Sequence, residues 1–382
     1  MDKLVVRGKM MIDGEIRENQ ILVCQAGKFT YVGPIRDEEP DIVLEKGYVL
    51  PGYIDIHVHG SNGYDLMGAT EEAIEGVASS LAQYGVTGFL ATTLTADWDS
   101  LMRVLESFRQ FTQKQVSGAE LLGVHLEGPW INEQYKGAQN AAHFMDPTLE
   151  AAQELWNIAG EMIKIVTLAP EKDNAKEVVR FLQSHEIKVA VGHSNATYEQ
   201  VKEVLPLGVS HVTHCFNAMS GLHHREPGIA GAALYHQEVT AELIADGIHV
   251  HPVMMNILYR LKAAEKLVLV SDGTKMVGLV DGVYDLGALQ IYLVQGVARL
   301  PDGTLAGSTL TLDQAVQNMV RLCHVPVADA VTMASQTPAR IAGADQRKGK
   351  LKEGYDADFI FTDEELNVER TFIDGRLIYS RE

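Results

Sequence analysis

The chain contains eight short apolar segments, and each is followed by a stretch whose apolar residues recur at helical spacing. Alternating strand and helix patterns predict a parallel sheet that helices cover on both faces. Eight such units predict an α/β fold in which the sheet closes into a (β/α)8 TIM barrel. The predicted strands are residues 52–60, 88–95, 121–129, 163–170, 188–195, 209–219, 241–250 and 266–274.

An open, doubly wound sheet is the structural alternative. Folds of that kind usually carry a glycine-rich dinucleotide loop, G-x-G-x-x-G, after the first strand. Here the first predicted strand continues as SNGYDLMG, which does not match that pattern. The sequence therefore favours the barrel.

Both ends of the chain show a different pattern, in which β-forming residues alternate with turns. The N-terminal segment reads as short strands with glycine-containing turns, and the C-terminal segment has an Asp374-Gly375 turn between two strand-like runs. Segments at opposite ends of a chain can pair into one sheet. We therefore predict a small β-sandwich domain from residues 1–50 and 346–382, and a barrel domain from residues 51–345.

The first predicted barrel strand ends in two histidines, His57 and His59, within the sequence DIHVHG. Residues i and i+2 of a strand point to the same face, so both imidazoles would face one point. A proton, a carboxylate or a metal ion could hold them there. Because the active site of a barrel lies at the carboxyl ends of its strands, this pair marks the expected site.

Five further strands also end in ionisable residues. One buried histidine is more often a core residue than a ligand, but an unpaired buried carboxylate such as Glu127 is costly. Six strands with such groups at one end favour a functional site over core packing. The residues are His57, His59, His125, Glu127, His193, His211, His214, Asp246, His249 and Asp272. For His125 and His211, a supporting role and a ligand role remain open. Histidine and carboxylate without cysteine suit Zn²⁺, Fe²⁺, Mn²⁺ or Co²⁺.

The composition disfavours several classes of partner. The chain has 51 Asp and Glu against 32 Lys and Arg, a net charge of −19, and no basic stripe, so we expect no nucleic-acid binding. We expect no membrane partner, because there is no signal-peptide pattern and no run of 18 uncharged apolar residues. Cys24, Cys215 and Cys323 are widely spaced and odd in number, which fits a reducing, cytoplasmic location.

The pattern of strand ends resembles the amidohydrolase superfamily, in which HxH ends strand one, His ends strands five and six, and Asp ends strand eight. Within it, residues from about 48 to 360 are similar to the N-acetylglucosamine-6-phosphate deacetylase family. The similar segments are PGYIDIHVHG, GVHLEGPW, VTLAPE, VGHSNAT, THCFNAM, REPGIAGAAL, IADGIHV, LVSDGT and LAGSTLTL. The resemblance implies hydrolysis of N-acetyl-D-glucosamine 6-phosphate to D-glucosamine 6-phosphate and acetate, in amino-sugar catabolism and cell-wall recycling.

The resemblance also implies roles for the strand-end residues. Glu127, His193 and His214 would bind the principal metal, and Asp272 would act as general acid and base. Some family members have Gln at the first HxH position and use one metal. This chain has both His57 and His59, which implies a second metal position. The implied cofactor is one or two divalent ions per subunit, with Zn²⁺ first and Fe²⁺, Mn²⁺ or Co²⁺ as alternatives.

The implied partner is a small sugar phosphate. Arg225 in HHREPG would bind the phosphate through forked, charge-assisted hydrogen bonds and so overcome the negative charge of the chain. His249 would polarise the acetyl carbonyl, and His143 would reach a phosphate across the interface of a homodimer. The implied substrate contacts are Ala138, Asn217, Ala218, Arg225, His249, Ser308 and His143.

Two other functions stay open at this point. Another metal-dependent amidohydrolase, such as a cyclic-amide hydrolase or an amine deaminase, would use the same strand ends. A barrel that has lost its metal and serves as a scaffold or binding protein is disfavoured, because Glu127, His193, His214 and Asp272 are all present.

Overall fold

The computed structural model of the chain describes residues 3–112, 117–287 and 289–381. The strands are β1 Leu4–Ile12, β2 Glu15–Gln25, β3 Lys28–Pro34, β4 Ile42–Val43, β5 Tyr48–Pro51, β6 Tyr53–Val58, β7 Gly60–Ser61, β8 Tyr64–Asp65, β9 Val86–Thr92, β10 Glu120–Glu127, β11 Ile163–Leu168, β12 Lys188–Val191, β13 His211–Val212, β14 Thr240–Leu243, β15 Leu267–Leu269, β16 Gly282–Leu286, β17 Leu289–Val294, β18 Val297–Arg299, β19 Phe359–Thr362, β20 Val368–Ile373 and β21 Arg376–Ser380. The helices are α1 Glu71–Gln83, α2 Trp98–Phe111, α3 Leu149–Ala159, α4 Ala175–Ser184, α5 Tyr198–Val204, α6 Gly228–Tyr235, α7 Pro252–Lys262, α8 Leu312–Cys323, α9 Val327–Ala334 and α10 Gln336–Ile341.

Eight of the described strands form the predicted barrel, which confirms the fold class. They pair in parallel in the order β6, β9, β10, β11, β12, β13, β14, β15. Helices α1 to α7 follow the first seven strands in turn, and α8 follows the eighth after a small sheet of β16, β17 and β18. All residues of β6 and β9 are buried, as expected for strands with helices outside and packed side chains inside.

The barrel closes between its first and last strands. β15 ends at Leu269, but the chain beyond it continues alongside β6. The backbone N–H of Asp272 donates to the carbonyl oxygen of His57 at 2.9 Å, and that of His59 donates to the carbonyl oxygen of Gly273 at 2.8 Å. These bonds bring the end of the eighth strand beside the histidine pair of the first.

Short polar side chains define the starts of several outer helices. Thr70, Asp97, Thr148 and Thr197 cap α1, α2, α3 and α5, and each accepts the backbone N–H of the third residue after it. Each cap satisfies one of the N–H groups that a helix start leaves without an intrahelical partner. None of the helices in the three described ranges has the length and apolarity needed to cross a membrane.

The strands from the two ends of the chain form one sheet, in the order β21, β20, β19, β5, β1, β2, β3, with β4 beside β1. The ring centroids of Phe29 on β3 and Phe359 on β19 lie 6.0 Å apart, although β5, β1 and β2 separate these strands in the sheet. The sheet therefore folds over its own apolar core. The Asp374-Gly375 turn joins β20 to β21 as predicted. The division into domains 1–50 with 346–382 and 51–345 stays a prediction.

A buried lysine joins this terminal sheet to the barrel. The Lys348 ammonium lies 2.5 Å from Asp358 Oδ2, 3.2 Å from Asp356 Oδ2 and 2.9 Å from Glu120 Oε2. Glu120 begins barrel strand β10, and Asp358 immediately precedes β19. Because the lysine side chain is only 1% exposed, solvent screens these attractions weakly.

Replacing Lys348 by Met should strongly destabilise the protein. The substitution leaves the buried Asp358 without its cation, which typically costs about 3–5 kcal/mol of unfolding free energy. Chemical denaturation followed by circular dichroism measures the loss. Lys202→Met is the matched control, since Lys202 is 58% exposed in a surface pair with Glu199, and we expect a change below about 0.5 kcal/mol. Equal losses in the two variants would contradict the structural role of Lys348.

Candidate metal centre and active site

The carboxylate of Glu127 lies within a buried histidine cluster. Glu127 ends β10, and its Oε1 atom lies 3.1 Å from His214 Nε2, 3.2 Å from His193 Nε2 and 3.4 Å from His57 Nε2. The Nε2 atoms of His193 and His214 are themselves 3.2 Å apart. The structure thus brings together the three residues expected to bind the principal metal, and adds His57 to them.

A second cluster forms on the other side of the same carboxylate. Asp272 Oδ1 lies 3.1 Å from His59 Nε2 and 3.5 Å from His57 Nε2. His59 Nε2 also lies 3.5 Å from Glu127 Oε2. Glu127 and His57 therefore border both clusters, and the expected second metal position lies beside the first.

Hydrogen bonds on the far sides of the imidazoles direct their Nε2 atoms toward these clusters. His193 donates from Nδ1 to the carbonyl oxygen of Tyr135 at 2.8 Å, and His59 donates from Nδ1 to that of Thr92 at 3.2 Å. A carbonyl oxygen can only accept, so Nδ1 carries a proton in both rings and Nε2 is the nitrogen available to a metal. Such partners of metal-binding histidines raise the basicity of the ligand and fix its orientation.

Three site residues adopt a backbone conformation that is unusual for residues with a side chain. The φ angle is +46° at His193, +26° at His214 and +47° at Asp272. The left-handed region costs such residues on the order of 1–3 kcal/mol and is often found at functional sites. All three lie just beyond barrel strands, where the change in backbone direction turns their side chains toward the clusters.

The donor atoms fit a divalent cation. The Nε2 atoms of His193 and His57 lie close to Glu127 Oε1. All three atoms carry lone pairs, which repel one another unless a positive charge lies among them. Burial lowers the pKa of His57, but the charges of Glu242 and Glu127 outweigh it and raise that pKa well above its usual value. The site therefore attracts positive charge. A metal ion that binds an imidazole nitrogen displaces the proton from it. Either a proton or a metal ion can therefore supply the positive charge.

His125 and His211, whose roles the sequence left open, lie beneath the clusters. His125 Nδ1 lies 3.0 Å from the carbonyl oxygen of Ile56, and Nε2 lies 2.7 Å from Thr167 Oγ1, so both ring nitrogens are engaged. Burial lowers the pKa of His125 to about 3, which keeps the ring neutral. His211 Nε2 lies 3.0 Å from Glu242 Oε1. Both residues therefore support the site from within the barrel.

Two polar residues of the site were missed by the sequence analysis. Gln139 donates from Nε2 to Glu127 Oε2 at 2.7 Å and accepts the backbone N–H of Thr95 at 2.7 Å. Glu242 lies on β14 and is fully buried. Glu242 carried the same signal as Glu127, a carboxylate within an apolar strand, in the sequence AELIADG. Gln139 carried no such signal, because its partners lie 12 and 44 positions away along the chain.

A cavity of about 410 Å³ lies above the clusters, within the range of ~300–1,000 Å³ that is typical of small-molecule sites. The cluster residues that line it are His59, Glu127, His193, His214 and Asp272. Four of the expected substrate contacts also line it, namely Ala138, Asn217, Ala218 and His249. Further lining residues are Leu94, Ile244, Leu286, Arg299, Thr304 and Leu305. A concave site that combines apolar side chains with converging polar groups is typical of sites that orient a small substrate.

The model of the amidohydrolase family matches residues 48–378 of the chain. The chain belongs to the amidohydrolase family. Amidohydrolases depend on metal, and the described residues contain groups able to hold one, including His57 with Glu127 and His214, and His57 with His59 and Asp272.

Several named enzymes align with most of the sequence of this amidohydrolase. The N-acetylglucosamine-6-phosphate deacetylase of Vibrio furnissii is 40% identical over 331 residues, which are 87% of this chain and 83% of the relative. The enzyme of the same name from Lysinibacillus sphaericus is 36% identical and covers 98% of this chain and 97% of the relative. The N-acetylgalactosamine-6-phosphate deacetylase of Escherichia coli O157:H7 is 37% identical, with 98% of each chain covered.

Solved amidohydrolase structures share the whole fold. A mutant N-acetyl-D-glucosamine-6-phosphate deacetylase from Mycobacterium smegmatis, in complex with N-acetyl-D-glucosamine-6-phosphate, superposes with a TM-score of 0.94 at 30% identity and covers 99% of this chain and 100% of its own. The crystal structure of the N-acetylglucosamine-6-phosphate deacetylase from Thermotoga maritima has a TM-score of 0.90 at 33% identity, with 99% and 100% covered.

Three expected substrate contacts lie outside the amidohydrolase cavity. Arg225 is exposed and lines a neighbouring cavity of about 420 Å³, which shares Tyr135 with the first. Ser308 is buried, and its hydroxyl donates to the carbonyl oxygen of Ser271. His143 lines another cavity, of about 590 Å³. None of the three lines the cavity above the clusters, so their contact with substrate stays a prediction.

Replacing Glu127 by Gln should remove most of the bound metal. The amide lacks the negative charge that borders both clusters. Loss of a residue that only supports a metal ligand typically lowers metal affinity ~10–100-fold, and we expect a larger fall here. Elemental analysis and chelator competition measure the loss. Glu171→Gln is the matched control, because Glu171 accepts from Ser194 and Asn132 at the same end of the barrel but belongs to neither cluster. Full metal occupancy in the Glu127 variant would place the metal elsewhere.

Proposed function

We propose that this chain is a metal-dependent deacetylase that hydrolyses N-acetyl-D-glucosamine 6-phosphate to D-glucosamine 6-phosphate and acetate, in amino-sugar catabolism and cell-wall recycling. The observation that carries the proposal is the cavity lined by Glu127, its histidine partners and Asp272. The names of the relatives support the same activity, and the structure from Mycobacterium smegmatis holds this sugar phosphate.

Asp272 is placed to move the proton during hydrolysis. Burial raises the pKa of its carboxyl, but the contact with the His59 imidazole and positive charge at His57 outweigh burial and lower that pKa below its usual value. The group is therefore ionised at neutral pH. It can accept the proton of the attacking water and then pass it to the departing amine. Because an amine is too basic to leave without a proton, one carboxylate performs both steps.

The chain's residues would hold one or two divalent ions. Glu127, His193 and His214 would hold the principal ion, and His57 and His59 would hold the second. A divalent ion bound there lowers the pKa of a water molecule and polarises the substrate carbonyl. We propose Zn²⁺, with Fe²⁺, Mn²⁺ or Co²⁺ as alternatives, because nitrogen and oxygen ligands suit all of them.

His249 is oriented to meet the acetyl carbonyl. Its Nδ1 atom lies 2.6 Å from Asp246 Oδ2, and its backbone N–H donates to Asp246 Oδ1 at 2.8 Å. Asp246 therefore fixes the ring so that Nε2 is the nitrogen facing away from this carboxylate. With Nδ1 donating to Asp246, Nε2 would donate to the carbonyl oxygen only in a ring protonated on both nitrogens, and a donor of that kind would stabilise the negative charge that develops there. Leu94 and Ile244 add apolar surface to the cavity wall, and an apolar environment strengthens such interactions.

The C4 epimer is a second candidate substrate. The relative from Escherichia coli O157:H7 is named for N-acetylgalactosamine 6-phosphate, and its identity of 37% lies within the range of the relatives named for the glucosamine sugar. The ratio of kcat/KM for the two epimers decides which sugar the cavity prefers.

We also propose that the protein is a cytoplasmic homodimer. Cys24, Cys215 and Cys323 are buried free thiols, which is consistent with a reducing compartment. Gel filtration with light scattering tests the dimer. A monomeric protein would exclude the role of His143 across a subunit interface.

Acetate release from N-acetyl-D-glucosamine 6-phosphate tests the function. We expect turnover that a chelator abolishes and that added divalent metal restores. Release of ammonia would indicate a deaminase instead, and metal-loaded protein without turnover on either epimer would favour a binding protein.

Replacing Asp272 by Asn should leave metal bound but remove most of the activity. General acid and base groups contribute roughly 10²–10⁴-fold, so we expect kcat to fall by that factor. Acetate release and metal content are measured on the same preparation. Asp146→Asn, which changes a surface carboxylate paired with Lys172, is the matched control. Activity within about threefold of wild type, only ~0.65 kcal/mol of barrier, would reject the assignment of Asp272.

Replacing Arg225 by Ala should raise KM for the 6-phosphate about 10–100-fold, the value of a charge-assisted hydrogen bond. The rate on N-acetylglucosamine without phosphate should hardly change, because that sugar lacks the contact. Part of the effect can appear in kcat, since remote binding also positions the amide. Kinetics of both substrates on both proteins measure the difference. Equal losses would show that Arg225 supports its loop instead. The phosphate contact would then be sought at His143 and at His223, which lines the same cavity as Arg225.

A further inference from the structure

Glu242 lies directly beneath the two clusters, inside the barrel. Neither it nor His57 has any exposed side-chain surface. Glu242 Oε2 lies 2.9 Å from His57 Nδ1 and accepts the backbone N–H of His214 at 3.0 Å. Its other oxygen lies 3.0 Å from His211 Nε2. His214 and His211 thus hold the carboxylate in one orientation, with an oxygen directed at His57.

This contact determines which ring nitrogen His57 offers to the site. A carboxylate can only accept, so Nδ1 of His57 carries the proton in that bond. Its Nε2 atom then lies 3.4 Å from Glu127 Oε1 and 3.5 Å from Asp272 Oδ1, one from each cluster. Among the described residues, His57 Nε2 is a buried atom without a hydrogen-bond partner. His57 Nε2 therefore points into the space between the two clusters, where it could bind a metal ion.

Core packing gives no reason for a carboxylate at this position. Ala241 and Leu243, the neighbours of Glu242 on β14, are apolar and fully buried. A buried carboxylate costs free energy unless its partners compensate it. A negative charge behind a histidine ligand, however, makes the imidazole a stronger donor to metal and fixes its orientation.

We propose that Glu242 is a positioning residue of the metal centre, which holds His57 with Nδ1 protonated and Nε2 directed at the space between the two clusters, and so strengthens the binding of metal by His57. The inference deepens the proposed metal-dependent function and rests on it.

Metal titration of Glu242→Gln without substrate tests this role. Gln keeps the size of the side chain but loses its charge, so we expect metal affinity to fall about 10–100-fold, as for other residues that support a ligand. The matched Glu171→Gln variant should bind metal like wild type. Melting temperatures of the metal-free forms separate the effect from general destabilisation. Wild-type affinity in folded Glu242→Gln would overturn the inference.

A double-mutant cycle tests whether Glu242 acts through His57. In a His57→Ala background, Glu242→Gln should weaken metal binding by less than about threefold, because the effects of substituting two residues that act through one contact are not additive. A full second loss in that background would overturn the inference. Wild-type protein that binds no metal at all would instead contradict the proposed metal centre itself.

If the Glu242 variants do not fold, nitrogen NMR of the histidine side chains in zinc-loaded wild-type protein provides the measurement. We expect the His57 ring to show a proton on Nδ1 and metal on Nε2. Metal on Nδ1, or an unmetallated His57 ring, would overturn the inference.

Discussion

The burial of carboxylates inside the barrel is the constraint on which the candidate site depends. Asp55, Glu127 and Glu242 lie on barrel strands with almost no exposed surface. A carboxylate in such a place is unstable unless donors or positive charge compensate it. Imidazoles supply this compensation for Glu127 and Glu242, and backbone N–H groups supply it for Asp55. The partner of Nδ1 decides which nitrogen a ring offers to a metal, and that partner is Glu242 for His57 and a backbone carbonyl oxygen for His59 and His193.

The same constraint acts where the barrel closes. Asp55 Oδ1 accepts the backbone N–H groups of His57 at 3.2 Å and Ser271 at 3.4 Å, which lie on opposite sides of the seam between the first and last strands. Burial raises the pKa of the Asp55 carboxyl to about 6, although these bonds oppose that effect. The seam also aligns Asp272 with His57 through a backbone bond of 2.9 Å. The hydrogen bonds that close the barrel therefore also place Asp272 beside the histidine pair.

The ionic contacts that join the terminal sheet to the barrel and the residues of the candidate site lie at opposite ends of the barrel. Strand β10 begins at Glu120, which binds Lys348 and Arg347, and ends at Glu127 in the histidine clusters. Seven residues of extended chain separate these carboxylates by roughly 23 Å. The ionic network that joins the terminal sheet to the barrel can thus contribute stability without altering the field at the metal centre. Such a division between a stabilising end and an active end is general in barrels of this type.

The sequence alone was sufficient for features that depend on neighbouring residues. Strand periodicity predicted the eight barrel strands and the terminal sheet, and the cost of burying a carboxylate identified Glu127, which the structure brings together with the histidines. Tertiary structure decided which distant groups meet. Glu242 and His57 are 185 positions apart, and Arg225 lies over a neighbouring cavity although its loop follows the same strand as His214. These outcomes follow from barrel closure and from the paths of loops, because contacts between distant residues leave no periodic trace in the spacing of the chain.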